Sequence, residues 1–214
     1  MPRSDPFARL PVICMVTDRA AVGGGALPGL IGTAARAGVD LIQIRERDLD
    51  AGALAGLTRD AIDAVSGTAA RILVNDRLDV ALAAGAGGVH LRGDGLPASL
   101  ARTIAPPEFL IGRSVHSEDE AAEIEAAGGC DYLMFGTVFP SASKPADHRV
   151  AGVDALARVC ARVRMPVIAV GGITASGAAD VRRAGAAGVA AIGAFKPGSD
   201  AVAFVRAVRS SFDT

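Results

Sequence analysis

One joint, repeated four times, constrains this chain more than anything else in it. ARAGVDLIQI, AAGAGGVHL, EAAGGCDYLMF and RRAGAAGVAAIGA each close an alanine-rich stretch with glycine and enter a β-rich run within a few residues. Glycine at such a place takes the left-handed conformation that ends a helix. A repeated helix-to-strand joint means a repeated βα unit. Apolar runs at 12–17, 41–47, 72–75, 89–91, 110–115, 132–138, 167–170 and 189–194 read as strands. Between them, 30–37, 54–65, 118–127, 153–163 and 178–184 carry helical patterns, and 200–210 sets Ala201, Phe204, Val205 and Val208 on one stripe. Ser117 with Glu120 predicts a capping box.

Eight alternations favour a closed (β/α)8 barrel, an α/β single-domain TIM barrel over residues 1–214, rather than an open doubly wound sheet. An open sheet of the flavodoxin type needs only about five strands, which would leave three over. At 214 residues the barrel is lean, below the typical ~250. Half of the residues are hydrophobic, enough for a large core. The net charge of −1 gives no bulk attraction to nucleic acid or to an anionic membrane. No window approaches the ~20 apolar residues of a membrane span. The opening MPRSDPFARLPVICMVTDR lacks the long apolar segment of a signal peptide, so a cytoplasmic protein is expected. Cys14, Cys130 and Cys160 are an odd number without metal spacing, and read as free thiols in a reducing compartment.

Chemistry in such a barrel sits at the carboxyl ends of the strands, and the polar residues gather there. Strand two ends Gln43-Ile44-Arg45-Glu46-Arg47, where alternation puts Gln43, Arg45 and Arg47 on one face. Two guanidinium groups on a largely buried strand call for an anion. Strand three ends Asn75-Asp76-Arg77, strand four His90-Leu91-Arg92-Gly93-Asp94, and strand five carries Arg113 and Ser114 on to His116. Strand six leads through Thr137 into a long loop, 139–152, with Ser141, Ser143 and Lys144. A loop of that length in a lean barrel is expected to be functional or mobile. Strands seven and eight end differently, in Gly171-Gly172-Ile173-Thr174 and Ile192-Gly193-Ala194-Phe195. Glycine-rich ends expose backbone N–H groups that can hold a phosphate. Asp76, with Asp94 as a helper, offers hard oxygens for Mg2+ bridging phosphates. Taken singly, Asn75-Asp76 reads as a turn, Ser141 and Ser143 as loop solvation, His90 as a hydrogen-bonded barrel histidine, and His116 as part of a capping turn. Their coincidence at one end of a barrel points instead to transfer between two phosphorylated small molecules.

VTDR, QIRER, VNDRLDVALAAGAGGVHL, IGRSVHS, DYLMFGTVFPSASKP, PVIAVGGI and GVAAIGAF, in that order along nearly the whole chain, resemble the thiamine-phosphate synthase/TenI superfamily. The resemblance implies a transferase that joins hydroxymethylpyrimidine pyrophosphate to a thiazole phosphate, giving thiamine phosphate and pyrophosphate. By position it implies that Gln43, Arg45 and Arg47, with Asn75, Ser114 and Lys144, meet the pyrimidine pyrophosphate. Arg45, Lys144 and Ser114 would be catalytic. Asp76, and Asp94 if it serves, would hold Mg2+. Ser141, Ser143, Gly172 and the Ile192-Gly193 backbone would cradle the thiazole phosphate.

The synthase pattern is departed from in four places. Arg47 stands in place of a lysine, and His90-Leu-Arg-Gly-Asp94-Gly95 in place of HxGQxD. Ser141-Ala-Ser143-Lys144 replaces Thr-x-Thr-Lys, and Gly193 replaces a serine. The segment HLRGDGLPASLAR is more similar to TenI-type proteins, some of which are thiazole tautomerases, yet Thr137 stands where their histidine is expected. A tautomerase and a non-catalytic binder of thiazole or thiamine phosphate are the alternatives. The oligomeric state, a homo-oligomer included, is not set by the sequence.

Overall fold

Eight short parallel strands pair in chain order and close on themselves, β1 to β8, in the computed structural model, which describes residues 6–23, 26–141 and 149–213. The strands are β1 (Val12–Val16), β2 (Leu41–Ile44), β3 (Arg71–Asn75), β4 (Gly88–Leu91), β5 (Leu110–Val115), β6 (Tyr132–Gly136), β7 (Val167–Val170) and β8 (Gly188–Ala191). Each is followed by a helix: α1 (Leu27–Arg36), α2 (Ala51–Ala64), α3 (Leu78–Ala84), α4 (Ala98–Ile104), α5 (Glu118–Ala127), α6 (Gly152–Arg162), α7 (Ala178–Arg183) and α8 (Ala201–Phe212). This is the (β/α)8 barrel that the repeated joint predicts. The glycines of the four joints, Gly38, Gly85, Gly128 and Gly185, all have positive φ, as helix-ending glycines should.

Alternation along the strands sorts the core into two layers. Val12, Cys14, Leu41, Leu73, Leu110, Tyr132 and Ile168 pack with one another, with Phe7 from a short 3-10 turn (Pro6–Ala8) beside them. Their neighbours Ile13, Ile42, Ile72, Val89, Ile111, Leu133 and Val189 pack instead with helix residues such as Ile31, Leu54, Ala81, Leu156 and Val208. Half of the predicted capping box is present: Ser117 accepts from the Glu120 N–H at 3.2 Å, while Glu120 reaches one residue past the N-cap to accept from the His116 N–H at 2.7 Å.

Four strands stop earlier than the apolar runs suggest. β1 ends at Val16 rather than 17, β2 at Ile44 rather than 47, β6 at Gly136 rather than 138, and β8 at Ala191 rather than 194. After Ile44 the chain is held by side chains instead of ladder bonds, and after β8 a 3-10 turn, Gly193–Phe195, takes over. The three cysteines are free. Burial pushes the Cys14 and Cys130 thiols up to about 12 and that of Cys160 to about 11. Among the described residues no helix is long and apolar enough to cross a membrane.

Candidate active site

The inward-facing residues at the carboxyl ends of the strands open onto one cavity of about 1410 Å3. That exceeds the ~300–1,000 Å3 of a usual small-molecule pocket, so there is room for more than one ligand. Gln43, Asn75, His90 and Ser114 line one side of the barrel; Val170, Ala190 and Ile192 line the other.

Gln43, Arg45 and Arg47 all line the cavity, but not as one buried strand face. Only Gln43 lies within the ladder; Arg45 is half-buried and Arg47 exposed, both in the following loop. The alternation persists past the strand because Glu46 is turned the other way and clamped. Glu46 as a whole is 8% exposed, and its carboxylate accepts from Thr17 Oγ1 at 2.5 Å and from the Arg19 N–H at 3.1 Å to each oxygen. Thr17 Oγ1 in turn accepts from the Arg45 N–H at 2.9 Å. Neither Arg45 nor Arg47 forms an ion pair or side-chain hydrogen bond among the described residues. Burial, and then the charge of Arg47, lower the Arg45 pKa, so an anion here would relieve both strains. Gln43 Nε2 donates to Asn75 Oδ1 at 2.9 Å, while Gln43 Oε1 is buried without a partner.

The two predicted metal carboxylates meet around a third residue. Asp76 is the one non-glycine residue with positive φ among those described, at 60°. Its N–H donates to the His90 carbonyl at 2.8 Å. Arg92 reaches Asp94 Oδ2 at 2.5 Å and lies 3.8 Å from Asp76 Oδ2. Asp94 lines the cavity, whereas Asp76 stands behind the lining, against Arg92. Arg113, named in the strand-five motif, is structural: it donates to the carbonyls of Leu96 and Gly93, both at 2.6 Å, and so holds the loop that carries Asp94. Among the described residues no group of three or more His, Cys, Asp or Glu side chains could hold a metal by itself.

His90 is 1% exposed, with Nδ1 3.0 Å from Tyr132 Oη and Nε2 2.9 Å from Ser114 Oγ. Burial and the charge of Arg45 push its pKa down to about 3, so the imidazole is neutral. His116 also lines the cavity, its Nδ1 2.8 Å from the Gly136 carbonyl.

Across the cavity lie Gly172, Ile192 and Gly193, with Ser141 beside them. Gly172 has φ 63°, and a Cβ there would stand 2.2 Å from the Pro140 carbonyl, so the backbone approach depends on glycine. Ser143 and Lys144, and His148 of the same loop, lie outside the described residues. The charged lining residues that the sequence reading did not assign to the site include Asp18, Arg92, Glu120, Lys196 and Asp200. Lys196 pairs with Asp18 at 3.4 Å on the glycine side. Its signal was available, a lysine directly after the Ile192–Phe195 turn.

Residues 13–195 match the thiamine monophosphate synthase family, TMP-TENI. A thiamine-phosphate synthase of Methanoculleus marisnigri is 42% identical over 195 residues, 91% of this chain and 92% of the relative. One of a Roseiflexus species is 37% identical over 199 residues, 93% of this chain and 84% of its own. Among solved structures, thiamine phosphate pyrophosphorylase from Pyrococcus furiosus superposes with a TM-score of 0.82 at 32% identity, covering 95% of this chain and 96% of that one.

Proposed function

The chain belongs to the thiamine monophosphate synthase family, and from that premise we propose that it joins hydroxymethylpyrimidine pyrophosphate to thiazole phosphate, releasing pyrophosphate. One observation carries the reading: a single cavity has two guanidiniums without an ion-pair partner among the described residues, Arg45 and Arg47, on one side and a glycine-built backbone, Gly172 and Gly193, on the other. That is a wall for a leaving pyrophosphate facing a cradle for a retained phosphate.

In this reaction the bond between the pyrimidine methylene carbon and the pyrophosphate oxygen breaks, and its electron pair leaves with pyrophosphate. The thiazole nitrogen then supplies the pair for the new C–N bond. Arg45 and Arg47 stabilise the charge that grows on the leaving oxygens. Asn75 and Ser114 hydrogen-bond the same group, and Lys144 joins them by its place in the motif. The free Gln43 Oε1 suits an N–H donor such as the pyrimidine amino group, a different task from the anion contact its neighbours perform. Ser141 and Ser143, Gly172, Ile192 and Gly193 take the thiazole phosphate. Thr137, in the cavity lining, has no basic nitrogen, which counts against the proton transfer of a tautomerase.

The carboxylates fit Mg2+. Asp76 and Asp94 already turn toward one cation, Arg92, and Mg2+ characteristically takes one or two carboxylates and completes its shell with water and substrate phosphate. Asp76 would hold it with Asp94 beside it, and bound Mg2+ would neutralise pyrophosphate charge. Three unpaired cysteines with raised thiol pKa values suit the cytoplasm, where we place the enzyme.

The two walls are separable by kinetics. Arg45→Met should raise KM for the pyrimidine pyrophosphate and lower kcat, whereas Gly172→Ala should raise KM for thiazole phosphate. Equal effects of both variants on both substrates would contradict the assignment of opposite walls.

A further inference from the structure

Behind Ser114 the barrel interior holds two hydrogen-bonded residues, His90 and Tyr132, that the reaction as described leaves unused. His90, Gly112 and Tyr132 are register partners on three adjacent strands: His90 pairs with Gly112, and Gly112 with Tyr132. A Cβ on Gly112 would stand 2.0 Å from Tyr132 Cζ. The missing side chain is therefore what lets the tyrosine ring lie across β5 and reach His90.

The direction of these hydrogen bonds follows from satisfying their donors. Tyr132 is fully buried among Val12, Cys14, Leu110, Met134 and Phe7. Among the described residues its hydroxyl has one hydrogen-bond partner, His90 Nδ1. A buried phenol has a single O–H, and leaving it without an acceptor forfeits its hydration with nothing in return. So Tyr132 donates and Nδ1 accepts. The neutral imidazole then carries its proton on Nε2 and donates it to Ser114 Oγ at 2.9 Å. With that lone pair occupied, the Ser114 O–H is left to point into the cavity. The opposite tautomer would have Ser114 donate to His90 and present lone pairs to an incoming anion.

We propose that Tyr132 and His90 are positioning residues whose one-way hydrogen-bond relay fixes Ser114 as a donor toward the pyrophosphate oxygens of the substrate. The relay rests on the function proposed above for the choice of anion, but its polarity is a property of the free protein. Neither Tyr132 nor His90 needs to touch the ligand.

The test has two arms on the full chain. Long-range 1H–15N correlation spectra of 15N-histidine-labelled protein, with the His90 signals assigned through His90→Gln, should show the Nε2–H tautomer without any ligand. Calorimetry with inorganic pyrophosphate and Mg2+ should show that Tyr132→Phe weakens binding roughly tenfold, the worth of one hydrogen bond to a charged group. Ser114→Ala should weaken it as much, and adding Tyr132→Phe to Ser114→Ala should change nothing further. An Nδ1–H tautomer in the wild type overturns the relay alone. So does a Tyr132→Phe effect that persists undiminished in the Ser114→Ala background, because that marks a purely structural role. Wild-type protein that fails to bind pyrophosphate overturns the pyrophosphate wall itself, and the relay's assignment with it, even if the tautomer is as expected.

Discussion

Gly112→Ala should damage the barrel interior far more than adding one methyl group normally would. The new Cβ would stand 2.0 Å from Tyr132 Cζ, 2.3 Å from Cε1 and 2.4 Å from Oη. Ordinary carbon contacts are about 3.5–4.0 Å, so the ring must retreat by roughly 1.5 Å or more. It has little room: Phe7 lies on it with ring centroids 5.5 Å apart, and Val12, Cys14, Leu41 and Leu73 are fully buried around it. Overpacking of this kind costs about 1–3 kcal/mol. Displacing Oη also strands a buried phenol and an imidazole, another ~1–3 kcal/mol. The expected loss is about 2–6 kcal/mol, a drop in Tm of roughly 5–20 °C for a chain of this size. Urea unfolding followed by circular dichroism measures it. Combining Gly112→Ala with Tyr132→Leu, which vacates the contested space, should recover part of the loss. A Gly112→Ala protein within about 0.5 kcal/mol of wild type would mean that the ring does not cross β5, and the packing argument would fail.

Other expectations concern charge. Arg92→Ala removes the cation that shares Asp76 and Asp94, so Mg2+ affinity of the substrate-free protein should rise about two- to fivefold, a small gain because exposed ion pairs are weak; unchanged or weaker Mn2+ binding by electron paramagnetic resonance would contradict this. Asp76→Asn should keep the fold, since asparagine tolerates left-handed backbone, while Mg2+-dependent turnover falls; undiminished turnover removes Asp76 from the metal site. His90 titrates at about 3 when folded against an ordinary 6.5, so the native state binds fewer protons than the unfolded chain between those values. Its contribution to stability is complete above pH 6.5 and is lost as pH falls toward 3, by up to ~1.4 kcal/mol per pH unit. Urea titrations should show a shallower acid loss in His90→Gln, and identical slopes would refute the burial argument.

The fold was legible because glycine-ended joints are local: each can be read within about ten residues without knowing what packs on it. Strand ends were not local in the same way. The sequence predicts β2 as far as Arg47 because Glu46 sustains the alternation past Ile44, and it does so through Thr17 and Arg19, 27 to 29 residues away in sequence. A glutamate between two arginines looks like a solvated charge, so nothing near it announces its burial. Tyr132 likewise reads as one more core residue of the run YLMF. Its partner His90 is 42 residues away, and only barrel register brings the two rings together. The role of Arg92 is not local either: it pairs with Asp94 two positions on but also approaches Asp76, 16 residues back on the neighbouring strand end. Gln43, Arg45, Arg47, Asn75, Ser114 and Gly172 reached one cavity because position at a strand's carboxyl end, once the barrel is known, dictates where a residue faces.

The condensation itself is the most direct measurement. Purified protein with Mg2+, hydroxymethylpyrimidine pyrophosphate and thiazole phosphate, followed by 31P NMR, should release pyrophosphate and form thiamine phosphate in equal amounts, and only when both substrates are present. Thiazole phosphate that binds while neither product appears would contradict the transferase reading.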